Sequence, residues 1–247
     1  MTTGTDFNMI DATIADIHAA YAAGTLTARK LVEFYFDRIE KLDRNGPIIN
    51  SVISTNPEAL AQADALDAAF AKSGPVGPLH GIPLAMKDQG DVKEMPTTMG
   101  SVLFKDHMPG RDSFVTAKLR DAGAIFIAKT TLGEMGAGDT HGSLFGSTRC
   151  VYDFDRTAGG SSGGSGAAAS ANFCAAAIGQ EGFASIRRPS THSDTRPSET
   201  LADWTSTPVR CSICPLALAQ RRAAWTSGGI EPRCLASVIR RLRSFRS

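Results

Sequence analysis

Gly81-Ile82-Pro83-Leu84-Ala85-Met86-Lys87 is an apolar run of strand length, opened by a glycine and closed by a lysine. A strand apolar throughout is one covered on both faces, as in the parallel sheets of α/β proteins. Lys87 then projects from the strand's end, where such sheets place their chemistry. Further short apolar runs lie at Ile48-Ile49-Asn50-Ser51-Val52-Ile53, Ala124-Ile125-Phe126-Ile127-Ala128 and Cys174-Ala175-Ala176-Ala177-Ile178.

Helical patterns separate these runs. Thr13-Ile14-Ala15-Asp16 has the form of a capping box, and Gly24 stands where a helix ends. A second helix starts after Thr27. Leu31, Phe34, Tyr35, Ile39 and Leu42 recur at three- and four-residue steps, which predicts an apolar face over 28–43. Asn56-Pro57 opens a third helix with Leu60, Leu66 and Phe70 facing inward, closed by Lys72-Ser73-Gly74-Pro75; a fourth covers 113–122. Strands alternating with helices predict an α/β domain of three layers, α/β/α, around a parallel or mixed sheet.

The pattern changes near residue 190. The segment 191–247 shows no long amphipathic helix and no convincing strand. It carries nine arginines against four acidic residues, a charge of +5, which leaves −4 on residues 1–190. Both tryptophans and three of the five cysteines also fall there. We read residues 1–190 as a partial catalytic domain and 191–247 as a non-homologous, frame-shifted and poorly ordered tail.

An apolar fraction of 42% is that of an ordinary globular chain, and a net charge of +1 gives no general attraction to nucleic acid or an anionic membrane. There is no signal-peptide pattern and no apolar run of eighteen residues, so the expected location is the cytoplasm, with no membrane partner. Five irregularly spaced cysteines are not a disulfide framework. Cys211-Ser212-Ile213-Cys214 is half of a zinc spacing without a partner pair, and the tail arginines lack a nucleic-acid motif. No metal, cofactor or nucleic-acid partner is expected. The oligomeric state is not written in the sequence.

The chemistry concentrates in Gly159-Gly160-Ser161-Ser162-Gly163-Gly164-Ser165 and in Gly182-Phe183-Ala184-Ser185-Ile186-Arg187-Arg188-Pro189. The first run lacks the Gly-Lys-Ser/Thr of a phosphate-binding loop. A serine attacks an amide carbonyl only with a base in reach, and none of His18, His80, His107, His141 and His192 stands in a serine–acid arrangement. A lysine serves instead if burial lowers its pKa well below about 10.4. Glycines let backbone N–H groups converge on a developing oxyanion.

Together these segments resemble the amidase signature family, known for a Ser-cis-Ser-Lys triad. The resemblance runs through Gly81-Ile82-Pro83-Leu84-Ala85-Met86-Lys87-Asp88, Ala128-Lys129-Thr130, Phe145-Gly146-Ser147-Thr148-Arg149, the glycine–serine run and Ser185-Ile186-Arg187-Arg188-Pro189-Ser190. It implies Ser185 as nucleophile, Ser161 as the cis-peptide serine that relays the proton and Lys87 as base. Ser162 would orient the lysine, and the N–H groups of Gly182, Phe183 and Ala184 would form the oxyanion hole. The 24-residue separation of the two serines fits the family. Two departures stand out. Cys150-Val151 replaces a common Asn-Pro, and Gly182-Phe183-Ala184 replaces the more usual Thr/Ile-Gly-Gly.

The resemblance implies an amidase that cleaves a small-molecule carboxylic amide through a seryl acyl-enzyme, on an amidase-signature fold incomplete at its C-terminal end because family members continue well beyond residue 190. Two alternatives stand beside it. One is the glutaminase-type subunit of a tRNA-dependent amidotransferase, and the other is a catalytically inert fragment.

Overall fold

A computed structural model of the chain describes residues 7–194 and 210–215. Helix α1 (Ile14–Ala22) begins at Thr13, whose hydroxyl accepts the Asp16 N–H while the Asp16 carboxylate takes the Thr13 N–H, a complete capping box. Such a cap contributes about 1 kcal/mol. Helix α2 (Ala28–Arg38) buries Leu31, Val32 and Tyr35 and runs into a π-helical turn, Ile39–Asn45. Helix α3 (Ala59–Ser73) packs along α2 and ends at Gly74.

The central sheet is mixed, in the order β1 (Val52–Thr55), β3 (Ile125–Thr130), β2 (Pro83–Lys87), β8 (Ala176–Glu181), β9 (Arg210–Pro215). Strands β2, β3 and β8 are parallel neighbours, while β1 and β9 lie antiparallel on either side. Every residue of β2 and β3 is buried, which is why their sequences do not alternate. Two small ribbons, β4 (His141–Gly142) with β5 (Gly146–Ser147) and β6 (Arg149–Cys150) with β7 (Asp153–Thr157), follow the sheet's third strand in sequence. Helix α4 (Phe114–Asp121) precedes β3. Helix α5 (Gly163–Ser170) crosses β2, β3 and β8, while α2 and α3 pack against β2 and β3, so the sheet is the middle layer. Helix α6 (Arg187–His192) lies against α5. None of the helices among the described residues is long and apolar enough to cross a membrane.

Three expectations need correction. The strand expected at 48–53 begins only at Val52, because Ile48 and Asn50 adopt left-handed backbone (φ 56 and 58) and form a corner instead. Buried Asp43 pins that corner, accepting the N–H groups of Ser51 and Val52. The strand expected at 174–178 starts two residues later and runs on to Glu181. The segment 191–247 does contain a strand, β9, which pairs with β8 along its whole length. An open strand edge recruits backbone groups whatever the side-chain pattern, so periodicity alone misses such a strand. The rest of the proposed tail from residue 195 onward lies outside the described residues.

Two glycines set the frame for the site. Gly81, at φ 67, lets the chain turn into β2 where a Cβ would press on Ala28 and Tyr21, and the Tyr21 hydroxyl donates to its carbonyl at 2.8 Å. Gly164 brings α5 onto β3 so closely that a Cβ would overlap the backbone N and O of Thr131. Backbone cannot yield as a side chain does. Gly164→Ala is therefore expected to cost about 2–3 kcal/mol of stability in denaturant unfolding, whereas Gly182→Ala, with open space at the Cβ, stays within about 0.5 kcal/mol.

Candidate active site

The register of the sheet sorts its side chains. Lys87 lies beside Thr130 and Met86 beside Lys129, and paired residues on adjacent strands point to the same face. Thr130 Oγ1 shares a hydrogen with Ser165 Oγ of α5 at 2.8 Å, so Thr130 and Lys87 face α5, and Lys129 faces away.

Lys87 is 2% exposed. Its Nζ donates to Ser161 Oγ at 2.7 Å, and Ser161 Oγ donates to Ser185 Oγ at 2.9 Å. The three side chains form an unbroken chain of hydrogen bonds, from buried Lys87 and Ser161 to half-buried Ser185. The Gly160–Ser161 peptide is cis. Burial drives the Lys87 pKa down to about 7, because no neighbouring carboxylate replaces the water its charged form has lost.

Each member is held by the backbone around it. Lys87 closes β2, and its Nζ also reaches the Gln180 carbonyl on β8 at 3.4 Å. The Ser161 carbonyl accepts the Gly133 N–H at 2.8 Å. The Ser185 carbonyl accepts the Ser162 N–H at 3.0 Å, which ties the loop after β8 to the start of α5. The Ser162 hydroxyl donates to the Gln180 carbonyl at 3.2 Å and accepts the Gln180 N–H at 3.3 Å. Ser162 thus meets Lys87 through a shared carbonyl.

The three residues before the nucleophile candidate sit apart in character. Gly182 and Phe183 are exposed, Phe183 at 92%, while Ala184 has left-handed backbone at φ 62. The Ala184 N–H donates to Glu181 Oε1 at 3.2 Å.

The family model described as Amidase matches residues 30–195, which contain all three members of the hydrogen-bonded chain. The chain belongs to the amidase family. Among curated proteins, this amidase-family chain is 38% identical over 181 residues to a glutamyl-tRNA(Gln) amidotransferase subunit from Oleidesulfovibrio alaskensis, covering 72% of this chain and 36% of that protein. It is 41% identical over 176 residues to the corresponding subunit from Thermobifida fusca, covering 71% and 35%. Among solved structures, the native peptide amidase of Stenotrophomonas maltophilia superposes with a TM-score of 0.72 at 36% identity, covering 74% of this chain and 39% of that one. The chain therefore spans little more than a third of the length of these relatives.

Sequence reasoning passed over Glu181. Its buried carboxylate collects the N–H groups of Ala184, Ile186 and Arg187 and the Arg187 Nε at 2.6 Å, bracketing Ser185 on both sides. Burial pushes its pKa up, but the backbone donors and the Arg187 guanidinium outweigh this and hold it below the usual carboxylate range. The available signal was an acid at a strand end four residues before a candidate nucleophile. Thr140 was also missed. Its hydroxyl accepts the Gly163 N–H at 2.8 Å and so caps the first turn of α5.

Proposed function

We propose that the chain carries the acyl-transfer centre of an amidase that hydrolyses a carboxylic amide, with Ser185 as nucleophile, Ser161 as proton relay and Lys87 as base. The observation that supports this reading most is the continuous relay from Lys87 Nζ through Ser161 Oγ to Ser185 Oγ. In the forward step the two hydroxyls turn so that Ser185 donates to Ser161 and Ser161 to the neutral Lys87 amine; Ser185 Oγ then bonds to the amide carbon as its proton passes to Ser161 and the Ser161 proton passes to Lys87. The relay then runs backward to protonate the departing nitrogen as the C–N bond breaks. Water repeats the sequence on the ester and frees the carboxylate.

The N–H groups of Gly182 and Phe183 are assigned to the oxyanion hole. Ala184 joins them once its N–H exchanges the Glu181 carboxylate for the oxyanion. Each such donor is worth about 3–4 kcal/mol to the transition state. Ser162 supports the nucleophile by holding its carbonyl. In this reading residues 1–190 supply the catalytic part of the domain and 191–247 have another origin.

The curated relatives favour a second reading, in which the centre is a glutaminase that supplies ammonia to an amidotransferase. Ammonia release from glutamine and from C-terminally amidated peptides, measured side by side, separates the two. Release from peptide amides and not from glutamine is expected. Turnover of glutamine alone selects the second reading, and turnover of neither overturns both.

A further inference from the structure

The sheet holds a second lysine one strand away from Lys87, and it is paired. Lys129 Nζ lies 2.6 Å from Asp88 Oδ1, with both side chains fully buried. Asp88 directly follows Lys87, and its N–H donates to the Thr130 carbonyl at 3.1 Å. Its other carboxylate oxygen accepts the N–H of Thr98 at 2.9 Å and also the Thr98 hydroxyl. Lys129 in turn donates to the Pro96 carbonyl and to Thr97 Oγ1, each at 3.0 Å. Segment 96–98 thus wraps a buried ion pair lodged against the sheet face opposite α5.

Asp88 and Lys87 are both buried and adjacent in the chain, so an uncompensated carboxylate at Asp88 would favour the charged form of the amine. A buried ion pair is seldom a gain in stability over apolar side chains, so its presence asks for another reason. Among the described residues, two further ion pairs lie near the relay. Glu181 holds Arg187 at the end of β8, and Asp139, beside Gly160, holds Arg188 at 2.5 Å. His192 lies against Gly159 and faces solvent. The one anion adjacent to Lys87 in sequence is therefore Asp88, and its counter-charge is Lys129.

We propose that Lys129 is a positioning residue whose fixed charge cancels that of Asp88, leaving the Lys87 amine free to be the neutral base of the relay. The ammonium of Lys129 makes no contact with the relay and acts through the carboxylate alone. Burial, the larger influence, brings the Lys129 pKa below its ordinary value, and the contact with Asp88 works against that shift. This inference rests on the proposed role of Lys87 as base only for its purpose, and the state of the amine can be read directly.

The test is the titration midpoint of Lys87, followed by NMR in protein labelled with carbon-13 at the lysine ε position and assigned with Lys87→Arg. Lys129→Met leaves the carboxylate uncompensated and is expected to raise the midpoint by about one unit. Asp88→Asn keeps an acceptor for Thr98 and leaves the cation uncompensated, so the midpoint is expected to fall. The double variant returns it toward the wild-type value. Asp88→Asn is nearly isosteric and answers the question even if Lys129→Met does not fold. A midpoint that stays in place, or moves the same way in both single variants, overturns the proposal and leaves the pair a structural clamp. Absence of amide hydrolysis by the parent chain, alongside the expected midpoint shifts, would count against the proposed function and not against this pairing.

Discussion

Ser185→Ala is expected to lower amide hydrolysis by about 10⁴-fold or more while leaving the fold intact. Removing the nucleophile of a serine hydrolase removes the covalent route entirely, and what remains is binding plus oxyanion stabilisation. The fold should tolerate the change because Ser185 is half-buried and its backbone, not its hydroxyl, anchors the loop through the Ser162 N–H. The Glu181 carboxylate, which brackets the loop, is untouched by the substitution. Steady-state ammonia release alongside the thermal midpoint checks both halves. A residual rate within tenfold of the parent would remove Ser185 from the mechanism.

Lys87→Met should separate activity from stability in opposite directions. Hydrolysis is expected to fall by about 10²–10⁴-fold, the usual contribution of a general base. Stability should rise. The folded chain holds Lys87 at a pKa of about 7, against 10.5 for an exposed lysine, so the folded state binds fewer protons than the unfolded state between those values. Stability therefore increases with pH from about 7 to about 10.5, and the full cost of charging a buried amine is felt below pH 7. A methionine of similar length removes that cost, for a gain of about 3 kcal/mol or more at pH 6 after the lost bond to Ser161 is counted. Denaturant unfolding at pH 6 and pH 9 checks the sign. The parent should be more stable at the higher pH, and the difference between the two proteins should narrow there. Equal stabilities at pH 6 would mean that burial has not lowered the Lys87 pKa.

The parts of this arrangement that were legible in the sequence are those that local pattern encodes. The buried strand ending on Lys87 was readable because a strand covered on both faces must be apolar along its length. The capping box at Thr13 and the close of α3 at Gly74 are likewise local chemistry. The pairing of Lys87 with Ser161 and Ser185 came from the resemblance to a family; the spacing of 74 and 24 residues between them carries no geometry by itself. What escaped was set by tertiary contact. Ile48 looks like a strand residue, yet the Asp43 carboxylate and the corner at Asn50 decide its backbone. Lys129 reads as one more strand lysine until the register places it against Asp88. Glu181 becomes an anchor only when the loop folds back over it. Strand β9 exists because β8 offers an edge.

Ala184 shows where the chain departs from a relaxed loop. A residue with a Cβ at φ 62 costs about 1 kcal/mol relative to glycine, and here it also commits its N–H to Glu181. The residue next to Ser185 is therefore held by a carboxylate rather than by the fold at large.

The central claim is that a buried, neutral Lys87 activates Ser185 through Ser161. Its most direct measurement is the pH dependence of covalent labelling of the whole chain by an activated organophosphorus reagent, with the adduct located by peptide mass spectrometry. A single adduct on Ser185 is predicted, absent in Ser185→Ala, with a rate that rises about tenfold per pH unit below a midpoint near 7 and levels above it. An adduct on another residue, or a Ser185 rate that does not change between about pH 5 and 9, would contradict it.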